Sequence, residues 1–234
     1  YISVLPLISL CKFKEIYIMC GIIGFTGNLQ APGILVDGLQ QLEYRGYDSA
    51  GIAVNNGSET QIVKTTGKVA TLREKVAATA GLEGTCGIGH TRWATHGGVT
   101  EVNAHPHVSG NVTLIHNGII ENYKELAASL KTKGYTAISE TDTEVIPNLI
   151  DYYYEKDTKD DDKRVLRAVV SACSDLKGSF ALEIISSFLP EKMIVVRKDS
   201  PLVIGKGLTG YHIASDIPAL LEFTRDFYLL DDYE

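Results

Sequence analysis

The chain has no C-x-x-C pair, no H-E-x-x-H motif and no excess of basic residues, and each absence removes a class of function. Its cysteines, Cys11, Cys20, Cys86 and Cys173, are scattered through 234 residues. That spacing fits reduced, cytosolic usage rather than a disulfide framework. Lys and Arg number 22 against 29 Asp and Glu, a formal net charge of −7. No surplus is left to neutralise phosphates, so no nucleic-acid partner is expected. The apolar stretch at 2–10 is far shorter than the roughly 20 residues of a membrane span, so no membrane partner is expected either. It also lacks a basic flank before it and a small-x-small cleavage site after it, which excludes a signal peptide. The sequon Asn111-Val112-Thr113 matters only in a secreted protein and is read as chance. No internal repeat occurs, and the one low-complexity run, EKDTKDDDKR at 155–164, reads as a solvated loop.

With 44% hydrophobic and 22% charged residues the composition is that of an ordinary globular protein, and the length fits one domain. Short β-branched runs bounded by Gly, Asn or Pro predict strands at 20–26, 50–55, 61–65, 87–91, 112–117, 180–186, 192–197 and 211–215. Asn56-Gly57 between the second and third predicts a hairpin. Apolar residues at helical spacing predict helices over 33–42, 121–133, a segment opening at Thr141, and 163–176. Thr141-Asp142-Thr143-Glu144 has the form of a capping box. GKGLTG at 205–210 matches a dinucleotide fingerprint, but a strand rather than a helix follows it, so a glycine-rich hairpin turn is expected. Elements come in blocks instead of strict βαβ alternation. An α+β fold with antiparallel sheets is therefore expected.

Five of the six histidines (His90, His96, His105, His107, His116) and the only tryptophan, Trp93, fall within CGIGHTRWATHGGVTEVNAHPHVSGNVTLIHNGIIEN, residues 86–122. Three readings compete there. A metal site is the first, since His and Cys are common zinc ligands, but no ligand spacing supports it. His105-Pro106-His107 is expected to splay its two rings in extended backbone, and no metal is expected. The second is structural, with His105, His107 and His116 bracing the loop that carries Asn117, and His212 likewise a packed histidine. The third is a thiol nucleophile at Cys20, next to Met19. Removal of methionine places the α-amino group of Cys20 beside its own thiol. The amine titrates near ~8 and the thiol near ~8.5, so the amine can take the thiol proton at neutral pH. Asn117-Gly118 offers a side-chain amide and an unobstructed backbone N–H, the donors of an oxyanion hole. Arg92 can grip a carboxylate and Asp142 an ammonium, the two charges of an amino-acid substrate.

MCGIIGF, LEYRGYDSAG, GHTRWATHG, NAHPH, HNGIIENY and SETDTEV closely resemble the glutaminase domains of the glutamine–fructose-6-phosphate aminotransferases (glucosamine-6-phosphate synthases). These are class II glutamine amidotransferases of the N-terminal-nucleophile superfamily. The resemblance runs from Met19 to about Asp232 in order, and its six motifs make it specific. It implies a four-layer αββα sandwich of two antiparallel sheets. It implies Cys20 as nucleophile, its amine as general base, and Asn117 and Gly118 as the oxyanion hole. Arg92 and Asp142 would bind the carboxylate and amino group of L-glutamine, with Trp93, Thr95 and His96 completing the pocket and the Arg45-Gly46 turn lying next to the nucleophile. No cofactor is implied. Glutamine would become glutamate and ammonia through a γ-glutamyl thioester. The partners implied are sugar-isomerase domains holding fructose 6-phosphate, in a full-length homo-oligomer of the cytoplasm.

Two departures limit the resemblance. The chain ends at Glu234, before any sugar-isomerase domain, and residues 1–18 precede Met19. Those residues are expected to be upstream sequence read in frame, with residues 1–19 not in the mature enzyme and 20–234 forming the amidotransferase domain. A retained segment would leave Cys20 without a free amine. Two rival readings are the amidotransferase half of an amidophosphoribosyltransferase and a non-catalytic glutamine-binding module with a blocked Cys20.

Overall fold

The computed structural model describes residues 20–234; the expectations for residues 1–19 lie outside the described residues. Elements follow in the order β1 Gly21–Gly27, α1 Ala31–Gln41, β2 Ser49–Asn55, β3 Thr60–Thr66, α2 Val69–Ala78, β4 Cys86–Arg92, β5 His107–Ser109, β6 Val112–Ile120, α3 Tyr123–Lys131, α4 Val145–Lys156, α5 Arg164–Asp175, β7 Gly178–Ser186, β8 Met193–Lys198, β9 Val203–Lys206, β10 Gly210–Ala214 and β11 Phe227–Leu229. One sheet has the order β11-β9-β10-β1-β4-β2-β3 and the other β5-β6-β7-β8, with every strand pair antiparallel.

Side-chain alternation explains the layers. In β1, Ile23 and Phe25 join Leu35 and Leu39 of α1 in an outer core, whereas Ile22 points the other way. Ile22 meets Ile88 of β4, Ile115 of β6, and Ala181 and Ile185 of β7 in a core between the two sheets. Leu114 of β6 and Phe180, Leu182 and Ile184 of β7 face a third core, built with α4 and α5. The result is helices, sheet, sheet, helices: the α+β sandwich expected. In β4 the outward positions Gly87 and Gly89 leave room for α1, whose Leu35 and Leu39 carbons would lie 2.8 and 3.3 Å from a Cβ at those sites. Helix α5 buries Val165, Ala168, Val169, Ala172 and Cys173, the stripe of an amphipathic helix.

The hairpin expected at Asn56-Gly57 joins β2 to β3, and the Asn56 side chain accepts the Ser58 and Glu59 N–H groups. The 205–210 glycine run forms the β9–β10 hairpin, with Gly207 N–H donating to Gly210 O at 2.9 Å. The capping box is not formed. Glu144 instead accepts the Ile138 and Ser139 N–H groups, and α4 starts one residue later without a side-chain cap. Helix α2 and strands β5, β9 and β11 were not expected. Among the described residues no helix is long and apolar enough to cross a membrane.

Glu183 of β7 lies in the inter-sheet layer, fully buried, and neither carboxyl oxygen has a hydrogen-bond partner. A Cβ at Gly24 of β1 would meet its Oε2 at 2.5 Å, and Met193 packs on the same spot. Burial holds this carboxyl well above the ordinary carboxylate range, so it is carried as the neutral acid. Because the folded value is raised, the proton is kept in the native state while the unfolded chain loses it above about pH 4.3. Stability is therefore lost steadily as pH rises from there toward the folded value. Glu183→Leu is expected to stabilise the fold by about 1–3 kcal/mol near pH 5, the cost of an unsatisfied buried polar group. The gain should widen between pH 5 and pH 8 in denaturant titrations at both pH values. A gain that shrinks with pH would show that Glu183 is ionised in the native state.

Candidate active site

Cys20 stands at the head of β1, and its thiol lies against the start of the segment that follows β4. Trp93 N–H donates to Cys20 Sγ at 3.2 Å, and the thiol lies 3.7 Å from Trp93 O. Across the sheet interface, Asn117 of β6 donates its Nδ2 to Cys20 O at 3.0 Å. Its neighbour Gly118 has φ 131°, and a Cβ there would lie 2.1 Å from Ser179 O. Only glycine fits that spot.

Burial raises the Cys20 thiol above its ordinary value; the Trp93 N–H and the Arg92 charge pull it down, and the Asp48 charge adds to the rise. A thiol raised in this way needs a base to become a nucleophile near neutrality. Burial also raises Cys86, to about 11, and Cys173, to about 12.

Arg92, at the end of β4, is only 4% exposed. Its guanidinium donates to three backbone carbonyls of its own loop: His96, Gly97 at 3.5 Å and Gly98 at 3.2 Å. Among the described residues it forms no ion pair, so a buried cation stands without a carboxylate. Asp142 is also buried, and its Oδ2 accepts the Ile120 N–H at 2.8 Å. Both line one narrow cleft with Cys20, Thr95, His96 and Gly118. A roomier cavity of about 310 Å³, which shares Cys20, Trp93, Thr95 and Gly118 with the cleft, opens past Asn117 toward Ile119, Ser179 and Asp199. The thiol thus sits where two spaces meet.

Trp93, 42% exposed, borders both spaces. His96 packs edge-on against Tyr123, and its Nδ1 lies 3.4 Å from Thr95 Oγ1. Arg45 and Gly46 line neither space. The Arg45 guanidinium is 3.4 Å from Ser215 O and Oγ, and Ser215 Oγ accepts the Ile22 N–H. Arg45 thus reaches the strand that follows Cys20 only through Ser215.

Residues outside the expected set hold the loop in place. Asp48 accepts the Ala94 N–H at 2.5 Å, and Glu140 accepts the Gly98 N–H at 3.1 Å and the Asn103 amide at 3.2 Å. Each lies inside one of the quoted motifs, but a loop-anchoring carboxylate has no spacing that marks it in sequence.

The histidines form a buried cluster. His90 Nε2 is 3.0 Å from both His116 O and Asn117 Oδ1. His105 Nε2 and His116 Nδ1 share Thr143 Oγ1, at 2.9 and 3.0 Å, and His107 Nε2 is 3.2 Å from Thr141 Oγ1. Burial lowers all four, His90 to about 3, and keeps the rings neutral. The expected splaying of His105 and His107 is corrected. The His105–Pro106 peptide is cis, and the two rings lie edge to face with centroids 4.8 Å apart. His212 packs between Phe25 and Phe223.

A family model described as a glutamine amidotransferase domain matches residues 90–222. Relatives named glutamine–fructose-6-phosphate aminotransferase [isomerizing], from Clostridium acetobutylicum and Clostridium perfringens, are 50% and 52% identical over 218 residues. Each alignment covers 92% of this chain and 34% of the relative, so the chain spans about a third of the length of the curated relatives it matches. Among solved structures, glutamine phosphoribosylpyrophosphate amidotransferase from B. subtilis is similar at TM-score 0.71 and 29% identity, over 86% of this chain and 43% of that one.

With Met19 still attached, alkylation of Cys20 by iodoacetamide should accelerate through a midpoint above the ordinary thiol value of about 8.5. Cys86 and Cys173 should remain unlabelled in the folded protein across pH 7–10. Peptide mass spectrometry over that range checks both; a Cys20 midpoint below about 8 would contradict the burial effect.

Proposed function

The chain belongs to the glutamine amidotransferase domain family, and from that membership we propose that it is the glutamine-hydrolysing part of a cytoplasmic glutamine–fructose-6-phosphate aminotransferase. The observation that carries this reading is the shared cleft. It joins a thiol, a buried guanidinium with no carboxylate partner among the described residues, and a buried carboxylate. An α-amino acid with a reactive side-chain carbonyl matches that set: its carboxylate meets Arg92, its ammonium Asp142, and its amide reaches the thiol. Trp93, Thr95 and His96 form the outer wall, while Arg45 and Gly46 support the strand that carries Cys20.

In the proposed reaction the free α-amine of Cys20 takes the thiol proton, and the thiolate attacks the amide carbon of glutamine. The developing oxyanion is met by the Asn117 Nδ2–H and the Gly118 N–H. The α-ammonium returns its proton to the amide nitrogen, the C–N bond breaks, and ammonia leaves a γ-glutamyl thioester on Cys20. The amine then takes a proton from water, whose oxygen attacks the thioester. The thiolate departs, is reprotonated, and glutamate is released. The cavity past Asn117, also lined by Cys20, gives ammonia a way out apart from the charged end of the cleft.

The base in this scheme is the amine of Cys20 itself, so the working form begins at Cys20 and residues 1–19 are not part of it. An amide nitrogen bonded to Met19 has no useful basicity. The sugar chemistry, conversion of fructose 6-phosphate to glucosamine 6-phosphate, belongs to further domains in a homo-oligomeric full-length enzyme. Identities of 50–52% to the sugar-amidating relatives against 29% to the phosphoribosyl-transferring structure support this acceptor over the purine one.

Protein beginning at Cys20 should release ammonia from L-glutamine in a coupled glutamate dehydrogenase assay, whereas Cys20→Ala and protein with Met19 attached should not. Asn117→Ala should lower kcat by ~10²–10³ with little change in KM. Arg92→Ala should chiefly raise KM, by roughly 10–100-fold for a lost charge-assisted pair. Undiminished ammonia release by Cys20→Ala would overturn the mechanism.

A further inference from the structure

An oxyanion donor made from an asparagine has a weakness that a backbone N–H lacks. Rotating the amide by 180° exchanges Nδ2 for Oδ1 and turns a donor toward the substrate into an acceptor. Asn117 therefore needs something that distinguishes its two ends. Cys20 O, which accepts from Nδ2 at 3.0 Å, supplies part of this. The rest comes from the opposite sheet. His90 of β4 is fully buried, and its Nε2 stands 3.0 Å from His116 O and 3.0 Å from Asn117 Oδ1.

A backbone carbonyl can only accept. The atom facing it must therefore be a donor, and His90 Nε2 carries the proton whatever the state of Asn117. That N–H is shared with the side chain of Asn117, so the end of the amide facing His90 is the oxygen. The assignment follows from the carbonyl, not from the amide. We propose that His90 is a positioning residue for glutamine hydrolysis, its Nε2–H locking the Asn117 amide with Nδ2 toward Cys20.

The surroundings favour a single neutral tautomer at His90. His105 stands perpendicular on its ring, with centroids 4.0 Å apart and Nδ1 2.9 and 3.1 Å from the two His90 nitrogens. Ring stacking of this kind turns the edge of one imidazole toward the electron-rich face of the other. His105 is held from its far side by Thr143, on the segment leading into α4, which also receives His116 Nδ1. Arg92, two residues along the same strand face, adds a positive charge that opposes a second proton on His90. Without the His90 donor, Asn117 Oδ1 and His116 O are left buried without it. The amide then loses the donor that distinguishes its oxygen end, and the flipped orientation becomes competitive.

This inference rests on the glutaminase reading, and two measurements separate its failure from that one. The first needs no turnover: ¹⁵N-labelled full chain, with His90 assigned by comparison with His90→Gln, should show the Nε2–H neutral tautomer at pH 7. An Nδ1–H tautomer or an imidazolium would overturn the proposal even if glutamine is hydrolysed. The second compares variants of the form beginning at Cys20. His90→Leu should lower kcat about 10–100-fold, less than outright loss of the donor, with KM for glutamine nearly unchanged. In His90→Gln the amide nitrogen takes the place of Nε2 and can donate to the same two oxygens, so it should recover kcat to within about fivefold. Equal losses in both variants, an undiminished kcat in His90→Leu, or a loss confined to KM would each overturn it. If circular dichroism shows His90→Leu unfolded, the His90→Gln activity and the tautomer decide. Absence of glutamine hydrolysis by the unmodified protein, with the Nε2–H tautomer present, would sink the functional reading and leave the lock intact.

Discussion

The site depends on two antiparallel sheets meeting face to face, because its parts come from opposite sides of that interface. Cys20 leads directly into the seven-stranded sheet, which also carries His90 and Arg92, and Asn117 and Gly118 belong to the four-stranded one. Sheets in a sandwich lie about 10 Å apart, and side chains from both must interdigitate in that space. Along most of the interface aliphatic residues such as Ile22, Ile88, Ile115 and Ala181 do this. At one end the same alternation continues with His90 and Asn117, and apolar packing gives way to hydrogen bonds. The cost of burying these polar groups is offset because nearly every one of them finds a partner. His116 Nε2 is the exception in the cluster.

Much of the architecture was legible in the sequence because its elements carry clear periodicity. Helix α5 shows its buried stripe at 165, 168, 169, 172 and 173, and each expected strand is an apolar run ended by turn residues. Helix α2 escaped because it buries only Val69 and Leu72, too few residues to make a stripe. Strands β5 and β11 are three residues long at sheet edges, and β9 has four. Such segments owe their conformation to the neighbours they pair with, which no local pattern records. The capping box failed for a related reason. Glu144 found two free N–H groups at Ile138 and Ser139, and a tertiary bond displaced the local one.

At the site, residue type was more legible than arrangement. The cleft brings Cys20, Arg92, Asp142 and Gly118 together, all singled out by chemistry or by motif. What sequence could not supply was who holds whom. Asp48, Glu140 and Thr143 act by fixing the ends of loops and the far sides of rings, and their partners are 27 to 46 positions away. His90 was visible only as one of five clustered histidines. Its distinguishing feature is a tautomer imposed by a carbonyl on another strand.

The guanidinium of Arg92 is already occupied by the carbonyls of residues 96–98. On the proposed reading, a carboxylate arriving there would replace hydrogen bonds instead of adding them. Binding at this point is an exchange, and its net free energy is the difference between an ionic partner and several neutral ones. The affinity gained is thereby tempered. In return, the buried cation is never without acceptors, and the loop that yields them is the same loop that walls the cleft. On that reading, whatever stiffens residues 93–98 should also change how tightly the amino acid is held.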